Sequence, residues 1–138
     1  MLGPDVGPPA AMLLFSAWMP LITKGFESIR QLKRHFSEHG DDFRASNSNE
    51  YEQMADDFLG GEKPEGVHEC VRRHGARLRY DPSSEAYGVL DAQLIIRTYY
   101  KPVPCSTVPF HERETTRQSG RCHTCPNNFI YFTQECKK

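Results

Sequence analysis

The amino-acid sequence predicts an α+β fold in which N-terminal helices pack on a small antiparallel sheet of about four strands. Two segments with helical periodicity come first in the chain, and four short segments with a two-residue period follow them. The connections between these four segments are short, which forces neighbouring strands to run antiparallel. Helices followed by such a meander form an α+β domain.

The chain has 138 residues, which is enough for one compact domain with its own core. We place this domain at residues 24–138, with a cysteine-rich tail at 105–138, after a lead-in at 1–23. The lead-in starts with glycines and prolines and continues as an apolar run at 10–22. That run is shorter than the ~20 residues that span a bilayer, and Pro20 interrupts it. We therefore expect a buried or partner-covered helix there, and no membrane-spanning segment.

The first predicted helix follows the lead-in. Apolar residues from Phe26 to Phe36 recur at helical intervals, and Gly40 is a suitable C-terminal cap. This helix carries His35 and His39 four residues apart, so both side chains lie on one helix face. The zinc-protease pattern needs a glutamate directly after the first histidine, where this chain has a phenylalanine. The pair is therefore a candidate for proton transfer, to which imidazole is well suited near neutral pH.

The second predicted helix begins at Asn47, with Glu50 three residues later as in a capping box, and ends at the glycine pair 60–61. An apolar stripe occupies one face of this helix. Its acidic residues are predicted to form a solvated face: Glu50, Glu52, Asp56 and Asp57.

Four strands are predicted after the helices, separated by turn-forming residues. Beyond Pro102 the periodic signal fades, except for an aromatic segment at 128–132 that is predicted to cover a sheet edge. The predicted strands are 67–72, 77–81, 86–90 and 94–100.

The last predicted strand changes along its length from apolar residues to cations and hydroxyls. Alternation places Thr98 and Tyr100 on one face, and Arg97, Tyr99 and Lys101 on the other. Arg97 and Thr98 can act together only if a bulge or twist brings them to the same side. Hydroxyls and positive charges at a strand end suit a phosphate-binding site. If no bulge is present, Arg97 is structural, and Lys101 or an upstream arginine would hold the phosphate.

Charge is unevenly distributed, although the net charge is only −1 and the isoelectric point is near 6.6. Residues 38–65 contain nine acidic groups against two basic groups, whereas residues 66–138 contain eleven basic groups against seven acidic groups. The basic half could face a polyanion. The whole chain does not belong to the strongly basic class that binds nucleic acid through charge alone.

The cysteines concentrate near the C-terminus, with four of the five in the last 34 residues. Disulfide bonds or free thiols are the favoured interpretation. A structural zinc site is the second, because the Cys-x-x-Cys at 122–125 needs two further ligands, which the other tail cysteines with His111 or His123 would supply. Redox catalysis is the third. The five residues are Cys70, Cys105, Cys122, Cys125 and Cys136.

These residue types suit cleavage of RNA, in which the RNA's own 2′-hydroxyl attacks the adjacent phosphate without a metal. The protein must remove one proton, deliver another to the leaving 5′-oxygen and stabilise the negative phosphorane. The prediction requires the first helix to pack against the last strand. The candidate set is His35 or His39 with Arg97, Thr98, Tyr100 and Lys101.

Further residues could contact the substrate. Lys33 lies beside the histidines on the first helix, and Arg79 and Tyr80 offer a phosphate donor and a stacking ring on the second strand. In the alternative interpretation, Arg79 and Tyr80 serve the sheet itself, since aromatic residues pack in sheets and arginines solvate their outer faces.

An ordered series of motifs between residues 29 and 102 resembles the C-terminal toxin domains of contact-dependent growth inhibition and polymorphic toxin systems. The series is most similar to their ribonucleases of the barnase, EndoU, colicin and RelE-like superfold. The motifs are His35-Phe36-x-x-His39-Gly40-x-x-Phe43, Glu50-Tyr51, Arg79-Tyr80-Asp81-Pro82, Tyr87-Gly88-Val89 and Ile96-Arg97-Thr98-Tyr99-Tyr100-Lys101-Pro102.

The resemblance implies a metal-independent endoribonuclease without a cofactor, typically a tRNase. Such a domain is the tail of a secreted effector, is delivered into the target-cell cytoplasm, and is neutralised by a cognate immunity protein. A monomer is expected. The implied roles are His35 or His39 as acid or base, Arg97 as the phosphate holder, and Thr98 and Tyr100 as substrate-contacting hydroxyls.

The chain also departs from the family pattern, at Arg44, at the turn 74–76 and in its longer cysteine-rich tail. The tail leaves room for an added metal or disulfide clamp. The alternative function is a non-catalytic module of the same fold that binds nucleic acid or protein, with zinc held by tail cysteines.

Overall fold

The structure is a computed structural model that describes residues 20–138. Of the predicted lead-in, residues 1–19 lie outside the described part, and residues 20–23 are neither helix nor strand. Within residues 20–138, none of the helices combines the length and hydropathy that a bilayer crossing requires. In chain order the elements are α1 (Ile29–His39), a 3₁₀ turn (Gly40–Phe43), α2 (Ser48–Leu59), β1 (His68–Val71), β2 (Arg77–Asp81), β3 (Ala86–Leu90), β4 (Ile96–Tyr100), a second 3₁₀ turn (Cys105–Thr107), α3 (Phe110–Gln118) and α4 (Asn128–Glu135).

The predicted α+β fold is confirmed, because the described residues form four α-helices and one four-stranded antiparallel sheet in the order β1-β2-β3-β4. Two of the helices precede the sheet, and two follow it. Strands β2 and β3 have the predicted bounds. Strand β4 begins two residues later than predicted, because Leu94 adopts a positive φ of 69° in the preceding turn. The Asp91 carboxylate stabilises that turn by accepting hydrogen bonds from the backbone N–H groups of Gln93 and Ile95.

The N-terminal boundaries of both early helices follow from side-chain caps. Ser28 accepts a hydrogen bond from the backbone N–H of Gln31 at the start of α1, and Asn47 accepts one from Glu50 at the start of α2. The Glu50 carboxylate also accepts a hydrogen bond from the backbone N–H of Ser46, so the predicted capping motif is present with a shifted partner.

The sheet is covered on both faces. Helices α1 and α2 cover one face, in a core that includes Phe26, Tyr51, Leu90 and Tyr99. Helix α4 covers the other face through Phe132 and neighbouring aromatic residues. The prediction that the aromatic segment covers a sheet edge is therefore wrong: residues 128–135 form a helix whose aromatic side chains pack on a face of the sheet.

The acidic face of α2 is only partly solvated, contrary to prediction. Asp56 is fully buried and accepts hydrogen bonds from the backbone N–H groups of Ile22 and Thr23 and from the Thr23 hydroxyl. Glu52 accepts one from the backbone N–H of Phe26. Such charge-assisted bonds to otherwise unpaired backbone groups compensate for burial. They hold residues 22–26 beside β4, where the backbone of Phe26 bridges to Ile96.

The tail is attached to the domain by disulfide bonds. Cys70 on β1 is bonded to Cys136 at the end of α4, and Cys105 is bonded to Cys122, while Cys125 is free. The first bond closes a loop of 66 residues and ties α4 to the edge strand of the sheet. The favoured interpretation of the cysteines therefore agrees with the structure for all five residues.

Replacing Cys70 and Cys136 together with serine should lower the free energy of unfolding by about 4 kcal/mol, because the unfolded chain regains the entropy of a long loop. Urea denaturation without reductant measures this change. Cys125→Ser is the matched control, and we expect it to change stability by less than about 0.5 kcal/mol, as is usual for substitutions that break no bond. Equal stability of the double variant and the control would contradict the assignment.

Candidate functional site

The first helix packs against the last strand, as the predicted site requires. The imidazole of His39, at the end of α1, stacks on the ring of Tyr100 with the ring centroids 5.0 Å apart. Tyr51 of α2 donates a hydrogen bond from its hydroxyl to the backbone carbonyl of Tyr99, which fixes the end of β4. The C-terminal ends of α1 and β4 therefore meet at one place on the surface.

A cavity of about 740 Å³ opens at this junction. Its walls come from the end of α1, from the segment that follows β4, and from the tail between α3 and α4. It combines imidazoles, cations, hydroxyls and two carboxylates in a space of the size that holds small ligands. The polar and charged lining residues are Glu38, His39, Asp42, Tyr100, Lys101, Ser119, Arg121, His123 and Tyr131.

A second cavity of about 450 Å³ adjoins the first, and both are lined by Tyr100 and Tyr131. The hydroxyls of these tyrosines lie 2.6 Å apart in a mutual hydrogen bond. Burial is the main cause that raises the pKa of both phenols, so each remains a neutral hydroxyl. The second cavity is lined on its other sides by Arg72, His74, Ala76, Tyr87, Val89, Asp91, Arg97, Thr98 and Glu135.

A β-bulge resolves the question of where Arg97 points. Leu90 pairs with Ile96 and Val89 pairs with Thr98, so Arg97 is the extra residue in β4. Arg97 and Thr98 consequently line the same cavity. The Arg97 side chain is 50% exposed, and its guanidinium lies 3.6 Å from Glu27 and 3.7 Å from Asp91. These loose ion pairs leave its donors available to a phosphate.

The two helix histidines occupy different environments. His35 is only 8% exposed and packs against Phe26, with its Nε2 atom 3.2 Å from the guanidinium of Arg34. Burial, and then the Arg34 charge, lower the pKa of His35 to about 4, so the ring is neutral at physiological pH. His39 is more exposed and lines the first cavity. Burial also lowers its pKa, with Glu38 acting in the opposite direction. His39 is therefore the histidine that can meet a substrate as a neutral base.

The depressed pKa of His35 predicts acid sensitivity of the fold. The unfolded chain takes up a proton on this residue near pH 6.5, whereas the folded protein resists protonation until about pH 4. Stability is therefore fully present above pH 6.5 and is lost as the pH falls towards 4, by up to about 3 kcal/mol. Urea denaturation of wild type and His35→Phe across this range measures the effect. We expect a flatter pH dependence in the variant; parallel curves would contradict the prediction.

Of the two lysines predicted to contact the substrate, one lines a cavity and the other does not. Lys101 lines the first cavity, with its ammonium 5.5 Å from the centroid of the Phe43 ring. Lys33 is exposed on α1 and lines neither cavity.

Arg79 and Tyr80 were predicted to contact the substrate, but both are buried in structural positions and are not available to it. Arg79 is 2% exposed, and its guanidinium donates to Glu69 and to the carbonyls of Phe58, Gly60 and Gly61. It thereby satisfies carbonyl groups at the C-terminus of α2. Tyr80 is buried beneath α4.

Sequence reasoning missed six polar lining residues of the first cavity. Two lie at and after the end of α1, Glu38 and Asp42, and four lie in the tail: Ser119, Arg121, His123 and Tyr131. The Cys105–Cys122 disulfide holds Arg121 and His123 close to the segment that follows β4, where the backbone N–H of His123 donates to Val103. The signal in the sequence that points to these tail residues is the group of polar residues around the Cys-x-x-Cys at 122–125. The sequence analysis interprets that cysteine pair as a possible zinc site. That zinc site would need thiolates from Cys105 or Cys136, and both are bonded in disulfides.

No protein-family model matches the sequence, and no curated protein matches it.

Proposed function

We propose that the protein is a metal-independent endoribonuclease that cleaves RNA, with tRNA as the expected substrate, by attack of the 2′-hydroxyl on the adjacent phosphate. The observation that carries the proposal is the juxtaposition of His39 with Tyr100 at a cavity that also contains Lys101 and Arg121. A neutral imidazole, a hydroxyl donor and two cations are the groups that this reaction needs.

Each group has a role that follows from its position. His39 accepts the proton of the 2′-hydroxyl, because burial lowers its pKa and keeps it neutral. Lys101 and Arg121 stabilise the negative charge of the phosphorane. Arg97 and Thr98 contact a phosphate in the adjoining cavity, beyond the paired hydroxyls of Tyr100 and Tyr131.

The disulfides support the biological setting proposed for this activity. Such bonds form and persist in secreted proteins and are rare in cytosolic ones. Two of them attach the tail that supplies one wall of the first cavity. We accordingly propose that the domain is secreted. We further propose, from the resemblance to toxin domains alone, that it acts as a monomer in the target-cell cytoplasm and that an immunity protein at its source blocks this cleft.

Incubation of the purified protein with total tRNA in the presence of EDTA tests the activity. We expect discrete RNA fragments on a denaturing gel. Intact tRNA at high protein concentration would exclude the ribonuclease, and retained RNA binding in that case would indicate the non-catalytic binding module instead.

A further inference from the structure

One wall of the first cavity comes from a part of the tail that the hydrophobic cores do not anchor. Residues 119–123 form this wall, and they follow α3 directly. Helix α3 has no buried residue, and its Phe110 is 83% exposed. Among residues 20–138, neither hydrophobic core includes a residue between 106 and 127. Burial of apolar side chains therefore does little to hold this wall in place.

Polar contacts do not attach loop 106–121, which contains α3, to the rest of the domain either. In the described part of the chain, the hydrogen bonds and ion pairs of this loop all stay within residues 104–121. Arg113, for example, donates to the carbonyls of Ser106 and Val108. The loop is therefore attached to the domain through its two ends.

The two ends of the loop are joined by one disulfide and two backbone hydrogen bonds. Cys105 is bonded to Cys122. The backbone N–H of Cys105 donates to His123 at 2.7 Å, and the backbone N–H of His123 donates to Val103 at 2.9 Å. Each such hydrogen bond contributes little net stability, because water replaces it when the ends separate. The disulfide is the covalent contact, and cross-linking a loop of this length favours the closed form by roughly 10²-fold.

The two cysteines of this bond differ in exposure. Cys105 is 6% exposed, whereas Cys122 is partly exposed and lines the first cavity. A reductant therefore approaches the bond from the Cys122 side.

We infer that the Cys105–Cys122 disulfide is a redox switch for the first cavity: the oxidised bond closes the wall 119–123, and reduction opens it. A dithiol supplies the two electrons. One of its thiolates attacks the Cys122 sulfur, the bond to the Cys105 sulfur breaks, and Cys105 leaves as a thiolate that takes up a proton. The second thiol then displaces Cys122, so both cysteines end as thiols and the dithiol ends as a disulfide.

The effect of the switch on RNA cleavage rests on the proposed function. Arg121 belongs to the wall, so opening the wall removes one of the two cations proposed to stabilise the phosphorane. Reduction should therefore slow cleavage, towards the roughly 10²- to 10³-fold loss that follows removal of one such donor. In the reducing cytoplasm of a target cell, the bond would then limit the time for which the domain cleaves RNA.

Amide hydrogen exchange tests the opening of the wall without reference to cleavage. The amides of Cys105 and His123 donate the two bridging hydrogen bonds, so they report on the opening directly. Dithiothreitol should reduce the bond in the native protein, as mass spectrometry after thiol alkylation will show. It should also speed exchange of both amides by roughly 10²-fold.

Two variants separate this bond from the other cysteines. Cys105→Ser/Cys122→Ser should show the fast exchange at His123 without reductant, with the Cys70–Cys136 bond intact. Cys125→Ser is the matched control, because it keeps both bonds and should exchange slowly until dithiothreitol is added. In the double variant, the amides of β2 and β3 should exchange at the wild-type rate, because the switch is local.

Three results would each overturn the switch. They are an acceleration of less than about tenfold at His123, resistance of the native bond to dithiothreitol, and equal acceleration throughout the sheet of the double variant. Opening of the wall with unchanged RNA cleavage would overturn its control of cleavage. Opening of the wall in a wild type that cleaves no RNA would support the switch and exclude the proposed ribonuclease.

Discussion

His39→Ala will slow RNA cleavage by roughly 10²- to 10⁴-fold, the usual contribution of a positioned general base. The imidazole lies against Tyr100 in the wall of the first cavity, and its side chain is 26% exposed, so removal eliminates the proton acceptor without opening a core. Single-turnover cleavage of tRNA in EDTA measures the effect. His111→Ala is the matched control, because that histidine is 81% exposed and, within residues 20–138, its one ion pair is with Glu112 on its own helix.

The pH dependence of the wild type provides a second test of the same residue. Because burial lowers the pKa of His39, the acidic limb of the pH–rate profile should have its midpoint below the ordinary imidazole value of 6.5. Full activity of His39→Ala, with the same acidic limb as wild type, would remove this residue from the reaction and contradict its assignment as the general base.

Arg79→Met will lower the free energy of unfolding by about 3–5 kcal/mol, the cost of removing one partner from a buried charge network. The variant leaves the Glu69 carboxylate with only the longer contact to Arg77, at 3.6 Å. It also removes the Arg79 donors from three carbonyls at the C-terminal end of α2 and just beyond it. Urea denaturation measures this loss. Cleavage per folded molecule should stay near the wild-type rate, because the guanidinium reaches neither cavity.

The matched control for Arg79 is Arg73→Met, in the exposed turn before β2, which should change stability by less than about 0.5 kcal/mol. Unchanged stability of Arg79→Met together with loss of RNA cleavage would restore Arg79 as a substrate contact and contradict its structural assignment.

Local periodicity was sufficient to predict the fold of residues 24–102. Alternation and turn residues identified β2 and β3 to the residue, and the Asn47 cap and the Gly60 end identified α2. Each of these features depends on residues that are close together in the sequence, so it can be recognised from the sequence alone. The burial of Asp56 and Arg79 depends on backbone groups of other segments, which hydropathy patterns do not register.

The candidate site was predictable only in part. Spacing along α1 placed His35 and His39 on one face, but only packing against Phe26 distinguishes the buried ring from the one in the cavity. A regular strand would have separated Arg97 from Thr98, and the bulge that unites them depends on the register of β3. The tail residues Arg121 and His123 are held at the site by the Cys105–Cys122 disulfide. The spacing of cysteines in a sequence does not determine which of them pair.

The chemical identity of the RNA ends at the mapped cut is the most direct test of the proposed activity. Attack by the neighbouring 2′-hydroxyl, with His39 as the proton acceptor, leaves a 2′,3′-cyclic phosphate on one fragment and a 5′-hydroxyl on the other. Mass spectrometry of fragments made in EDTA should show these two ends. Fragments that carry a 3′-hydroxyl and a 5′-phosphate would show that water attacks instead, and would contradict the mechanism built on His39 and its cavity.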